Sequence, residues 1–314
     1  MPFTTRNYPA SFWGLINWVL ALSLLSGCAS MQPCSDSALP VTKTEHTLVH
    51  PDGRETAVTL WQPSRAGQYP LTTFSHGAFS APERYEVVLR GLAEMGLVVL
   101  APLHIDSELL AIDPPPAQDK VWRSRKQDIT ALFSPTAEIL SYLNEGVTLS
   151  KTRLATGHSY GAFVAQVVSG ALAVGDTPGE FLVDVDAVVA ISPPGHLPGF
   201  IEPGAWKTMD RPHLLITGTG DIFPGFMEDW QEHTSAWNEA PADDQWLWVG
   251  EDVDHYFGKV FGRLQREVPA QTEAFDQAMA TTQQFLATYL DGGLSVCSSP
   301  IQPGKTAIAS LKRR

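Results

Sequence analysis

Gly157-His158-Ser159-Tyr160-Gly161 decides how this chain is read. The five residues form a G-x-S-x-G motif. The apolar run Leu154-Ala155-Thr156 before it has the character of a strand, and the Ala/Val-rich stretch Ala162–Val174 after it has that of a helix. A serine between a strand and a helix, with glycine on both sides, fits a sharp turn. Small flanking residues let strand and helix approach, and strained backbone at the serine lifts its hydroxyl clear. The motif alone is a weak signal, and its context gives it weight.

The same alternation extends in both directions. Upstream, Glu45–Val49 and Glu55–Trp61 flank Asp52-Gly53 as a hairpin. Leu71–Phe74 is a short strand entering Ser75-His76-Gly77. Tyr85, Val88, Leu89, Leu92 and Met95 recur at helical spacing up to Gly96, and Leu97–Leu100 is a buried strand. Past the Pro-rich loop at Pro114-Pro115-Pro116, a helix is expected from Val121 to Asn144, with a break at Pro135. Downstream, Ala187–Ile191, His213–Thr217 and Gln245–Val249 read as strands. A last amphipathic helix carries Phe275, Met279, Leu286 and Leu290. This rhythm predicts an α/β fold, a mostly parallel central sheet with helices on both faces, as one domain over residues 43–290. The tail, 291–314, is rich in Ser and Gly and ends in Lys312-Arg313-Arg314; it is expected to be loosely held.

A serine hydroxyl needs a base to take its proton, and the base needs an acid to orient it. On a sheet of this kind the partners follow in the order Ser, acid, His. Four histidines follow Ser159: His196, His213, His233 and His255. His213 begins a strand, His233 falls in a helical stretch, and His196 precedes any suitable acid. His255 stands in the loop after Gln245–Val249 and is the candidate base. Asp221 follows Leu214-Leu215-Ile216-Thr217-Gly218-Thr219-Gly220, at a strand's carboxyl end, and is the candidate acid. Asp252 and Asp254 lie too close to His255 in sequence and are expected to solvate its loop. The candidate oxyanion donors are the backbone N–H groups of Tyr160 and Ala78, with Gly77 allowing the turn. His76 reads as a structural residue of that loop. Phe79 and Phe257 are candidate pocket residues, with core packing as the alternative. Trp206 and Phe223 also lie near these loops, and the alternating Trp246 and Trp248 read as core. The segment Pro193–Pro212 is a candidate lid. Neither a metal-ligand cluster nor a phosphate loop is recognisable, so no metal and no cofactor are expected.

Phe74-Ser75-His76-Gly77 together with Gly157-His158-Ser159-Tyr160-Gly161 resembles the dienelactone-hydrolase and platelet-activating-factor-acetylhydrolase-like branch of the α/β-hydrolase fold, over roughly Thr42 to Leu290. Arg125 and Asp128 also look like that branch. Bacterial cutinase-like polyester hydrolases are near relatives. The resemblance implies a serine esterase that acts on a small-molecule or lipid-like ester. Dienelactone hydrolases carry cysteine where Ser159 stands. Polyester hydrolases have a Gly-rich run where Ala162-Phe163 follow here. Fold and triad therefore carry over better than substrate. A thioesterase, amidase or acyltransferase on the same triad, or a non-catalytic envelope protein with this fold, are the competing readings.

The first residues read as targeting. Arg6 precedes the apolar Phe12–Leu25, which is short for a bilayer span, and Leu25-Ser26-Gly27-Cys28 resembles the lipobox of bacterial lipoproteins. The resemblance implies a signal peptide over 1–27, a lipid on Cys28, a tether over 28–42, and membrane attachment on the periplasmic face of the envelope. Ala29, where Asp would signal retention, favours the outer membrane. Cys34 and Cys297 then remain as an even pair, expected to form a disulfide that ties the start of the domain to its C-terminal end, with two unpaired thiols as the alternative. Of 314 residues, 44% are hydrophobic and 18% charged, an ordinary globular balance, while a net charge of −13 argues against a nucleic-acid partner.

Overall fold

A computed structural model describes residues 38–134, 138–241, 243–290 and 302–314. The segment 1–27, Cys28, the beginning of the tether, Cys34 and Cys297 lie outside the described residues.

The chain begins with a hairpin of β1 (Val41–Val49) and β2 (Glu55–Pro63), paired antiparallel from Val41 opposite Pro63 to Val49 opposite Glu55. Gly53 takes a φ of +82° in its turn, which glycine adopts without strain. There follow β3 (Gly67–Ser75), α1 (Glu86–Glu94), β4 (Val98–Pro102), α2 (Gln118–Leu132), β5 (Val147–His158), α3 (Tyr160–Val167), β6 (Ala187–Ile191) and β7 (His213–Gly218). The last elements are α4 (Ser235–Glu239), β8 (Gln245–Gly250), α5 (Thr272–Tyr289), β9 (Gly304–Lys305) and β10 (Ala309–Arg313). One sheet joins the ten strands in the order β1-β2-β4-β3-β5-β6-β7-β8-β10-β9. From β4 through β8 every neighbouring pair is parallel. The strands β4, β6, β7 and β8 are buried at every residue, as strands covered on both faces must be. One apolar cluster gathers Trp122 and Ile129 of α2 with Phe163 and Val164 of α3. The other gathers Leu89 of α1 with Phe275 and Phe285 of α5, so helices cover both faces, as expected.

Three elements differ from expectation. α2 stops at Leu132 because the residue before Pro135 is driven out of the helical region. α3 is shorter than Ala162–Val174: it ends at Val167, and Gly170 turns the chain away with a φ of +115°. The third difference is the tail. Its described part is not loosely held. β10 pairs antiparallel with β8, Ala309 opposite Gly250 and Arg313 opposite Trp246. Ala309 and Leu311 are buried, the Arg313 guanidinium lies over the Trp246 ring, and that of Arg314 lies over Trp237. Without β10, the edge of β8 would expose a row of unpaired N–H and C=O groups. The basic end reads as solvated only while this strand edge is out of view.

Candidate active site

Ser159 stands between β5 and α3 with φ +55° and ψ −126°. L-residues rarely hold positive φ, and local contacts enforce it here. The Ser159 N–H donates to the Ile191 carbonyl at 2.9 Å, tying the turn to β6. Gly157 and Gly161 are obligatory: a Cβ on Gly157 would overlap the backbone of Gly161, and one on Gly161 would overlap the Ser75 carbonyl.

His255 follows β8, and Asp221 follows β7. The His255 Nδ1–H donates to Asp221 Oδ1 at 2.7 Å, and the Thr217 hydroxyl donates to Asp221 Oδ2 at 2.9 Å. Asp221 is fully buried. Burial alone would raise its pKa, but the facing His255 and His233 hold it well below the usual carboxylate range. The Nε2 of His255 is buried without a hydrogen-bond partner among the described residues, and the side chain borders the cleft that Ser159 also lines.

His158, the second residue of the motif, holds this loop. Its Nε2–H donates to the His255 carbonyl at 2.9 Å, and its Nδ1 accepts from the Tyr85 hydroxyl at 2.9 Å. That hydroxyl in turn accepts from the Gly77 N–H at 3.2 Å. The loop after β3, the serine turn and the histidine loop are thus joined through two buried side chains. The arrangement requires a neutral His158, and burial, followed by the nearby His255, lowers its pKa well below 6.5.

A second device fixes the loop after β3. Arg125, on α2 and fully buried, donates through Nη1 to the His76 carbonyl at 2.6 Å and through Nη2 to the Gly77 carbonyl at 3.1 Å. It also grips Asp106 with Nε and Nη2, each at 2.9 Å, and Asp106 Oδ2 accepts from the Phe79 N–H at 3.2 Å. With these carbonyls held back, the N–H groups of Ala78 and Tyr160 donate to no described residue, and both residues border the cleft. His76 spends both ring nitrogens within the fold, on the Gly77 carbonyl and the His104 N–H. Ser75, His104 and Asp128 form a hydrogen-bonded Ser-His-Asp series, at 2.9 and 2.8 Å, but all three are buried and none borders the cleft.

The cleft measures about 950 Å³. Phe79, Ile112, Leu197, Phe200, Phe223 and Phe226 line it, and the Phe223 ring meets that of His255 edge-on at 5.0 Å. Phe79 and Phe226 remain more than half exposed at its rim. Phe257 is not part of it. A φ of +54° turns its ring to the opposite side of the loop, where it stacks on Trp248 at 5.9 Å and meets Phe275 edge-on. Trp206, Trp246 and Trp248 are core residues. The segment Pro193–Pro212 supplies Pro194, Leu197 and Phe200 to the cleft wall and buries Trp206 and Met209 beneath it. Asp254 does not solvate its loop: it is buried, and Oδ1 accepts from the Tyr256 and Gly258 N–H groups. The contact that the sequence reading misses altogether is that of His233 with Asp221, Nε2 to Oδ1 at 3.0 Å. Asp221, His233 and His255 are also the one cluster among the described residues with the spacing of a metal site, and Nδ1 of each histidine already meets an oxygen of the protein.

A family model described as chlorophyllase matches residues 38–198. No curated protein matches the sequence significantly. Among solved structures, the ferulic acid esterase of Streptomyces cinnamoneus is similar at 18% identity and a TM-score of 0.57, over 85% of this chain and 95% of that one. Esterase 2 of Thermogutta terrifontis is similar at 14% identity and a TM-score of 0.56, over 80% and 97%. A putative dienelactone hydrolase of Klebsiella pneumoniae is similar at 15% identity and a TM-score of 0.53, over 80% and 100%. At such identities these likenesses speak for the fold.

Proposed function

The chain belongs to the chlorophyllase family, and from its character as a carboxylic-ester hydrolase of the α/β-hydrolase fold we propose that it works through an acyl-enzyme on Ser159. One observation carries the reading: Asp221 holds His255 by Nδ1 at 2.7 Å and leaves Nε2 without a hydrogen-bond partner among the described residues, on a side chain that borders the cleft Ser159 lines. Ser159 Oγ attacks the ester carbonyl while His255 Nε2 takes its proton. Asp221 keeps the imidazole in the required tautomer and stabilises the imidazolium. The carbonyl oxygen, now an anion, receives the N–H groups of Ala78 and Tyr160, which donate to no described residue. Collapse of the tetrahedral intermediate breaks the C–O bond, and His255 returns the proton to the departing alcohol. Water, deprotonated by His255, then releases the acid and restores Ser159.

The aromatic and aliphatic walls favour an ester with a bulky apolar arm. A panel of p-nitrophenyl esters of increasing chain length, with thioester and amide analogues and a chlorophyll ester, tests both reaction and class. A fluorophosphonate probe should label the wild-type protein at Ser159. Absence of label together with absence of ester hydrolysis sinks the reading and favours a non-catalytic protein.

We also propose that the mature chain begins at Cys28 and is anchored in the bacterial envelope by lipid on that thiol, a reading supported by Leu25-Ser26-Gly27-Cys28. Metabolic palmitate labelling that persists in Cys28→Ser contradicts it. Intact mass before and after reduction decides whether Cys34 and Cys297 are bridged.

A further inference from the structure

His233 lies in the short helical turn Trp230–Thr234, is 2% exposed, and borders the same cleft as His255. Its Nδ1 is 2.7 Å from the Pro193 carbonyl oxygen. Its Nε2 is 3.0 Å from Asp221 Oδ1, the oxygen that also receives His255. A carbonyl oxygen can only accept, so Nδ1 carries a hydrogen. An ionised carboxylate can only accept as well. Nε2 has no aligned hydrogen-bond partner among the described residues, but it stands at ion-pair distance from the Asp221 carboxylate. With a hydrogen on Nε2 as well, the ring is a cation beside that carboxylate. Burial works against that cation, but the Asp221 charge outweighs it and raises the His233 pKa.

We propose that His233 is a positioning residue, a standing imidazolium paired with Asp221 that keeps His255 in the neutral form able to accept the Ser159 proton. The proposal rests on the acyl-enzyme reading. A buried Asp221 without a counter-charge would favour a protonated His255 before substrate arrives, and a protonated His255 is no base. The groups that face His233 are Asp221 from the loop after β7, His255 from the loop after β8 at 5.8 Å between rings, and His158 from the end of β5. Tyr256 and Arg263 border the same cleft, and Glu232 on its own turn is exposed. Asp221 is the carboxylate in contact with it.

The test is the pH dependence of kcat/KM on a p-nitrophenyl ester for the wild type, His233→Gln and His233→Asn, both neutral and able to hydrogen-bond. The acidic limb should move up by about one pH unit in each variant. A uniform loss of rate with an unmoved limb assigns His233 a merely structural role and overturns the proposal. The second measurement needs no variant and no turnover. In 15N-histidine-labelled wild-type protein at pH 7.5, both ring nitrogens of His233, assigned through the backbone, should be protonated. One unprotonated nitrogen overturns the proposal even if the variants fail to fold. Missing ester turnover with an intact His233 cation would instead count against the acyl-enzyme reading.

Discussion

Gly161 packs so tightly under Ser75 that a Cβ on it would overlap the Ser75 carbonyl oxygen and carbon. The serine turn is thereby seated directly on the end of β3, the strand that leads to the loop of Ala78. An overlap with backbone cannot be relieved by turning a side chain. Gly161→Ala should therefore cost upwards of about 4 kcal/mol, beyond the usual range of single substitutions. Urea unfolding measures this, and a variant as stable as the wild type contradicts the packing.

Ser159, with His255 and Asp221 as its proposed partners, and the buried Ser75-His104-Asp128 series make a paired experiment. Ser159→Ala should abolish fluorophosphonate labelling and lower kcat by a factor of about 10⁴ or more. Ser75→Ala should keep the label, because Ser75, His104 and Asp128 have no opening to the cleft. Label lost in Ser75→Ala but retained in Ser159→Ala would exchange their roles.

Arg125 clamps the loop that carries Ala78, the proposed oxyanion donor. Lysine cannot reproduce its fork, so Arg125→Lys should release the His76 and Gly77 carbonyls and leave Asp106 poorly paired. We expect a loss of about 3 kcal/mol in stability, the scale for breaking a buried pair, and a fall in kcat of about 10–100-fold with little change in KM. Full kcat in a folded Arg125→Lys protein would show that the loop needs no clamp.

Buried neutral histidines set the response to acid. Burial pushes the pKa of His213 down from 6.5 to about 4, against the opposing effect of the hydrogen bond that its Nδ1–H donates to Gln245 Oε1. The unfolded chain takes up that proton near pH 6.5, so stability falls as the pH drops from about 6.5 toward 4, by about 3 kcal/mol for His213 alone. His76, His104 and His158 are lowered first of all by burial and act in the same direction. Burial would raise Asp106, Asp128 and Asp221, but Arg125 at Asp106, the hydrogen-bonding His104 and His50 at Asp128, and His255 and His233 at Asp221 hold them low. Their stabilisation is present above about pH 4 and is lost as the pH falls from there toward their depressed folded values. His233 is raised and opposes the trend, stabilising below pH 6.5 and losing that contribution as the pH rises through its folded value. Chemical denaturation should show a decline between pH 7 and pH 5, and a flat profile would contradict the neutral assignments.

Much of the fold is legible in the sequence because parallel strands buried on both faces are short apolar runs, and Ala187–Ile191, His213–Gly218 and Gln245–Gly250 stand out as such. β10 does not, since Ser310 and Lys312 face outward and its pairing with β8 spans some sixty residues of sequence. Phe257 shows why proximity in sequence misleads: it lies two residues from His255, but one positive φ sends its ring into the core.

The alternating architecture, the glycine-flanked turn at Ser159, and the order in which Asp221 and His255 follow at strand ends are all legible along the chain. These are local patterns, readable from period, turn chemistry and succession. What surrounds them comes from packing between distant parts of the chain. His158 reaching from the serine turn to the His255 carbonyl, Arg125 gripping the loop of Ala78, and His233 sharing Asp221 are contacts between residues far apart in the chain. No period or spacing encodes such contacts. They exist because β3, β5, β7 and β8 end on one side of a single sheet, and there the low dielectric makes each buried charge and lone pair find a partner.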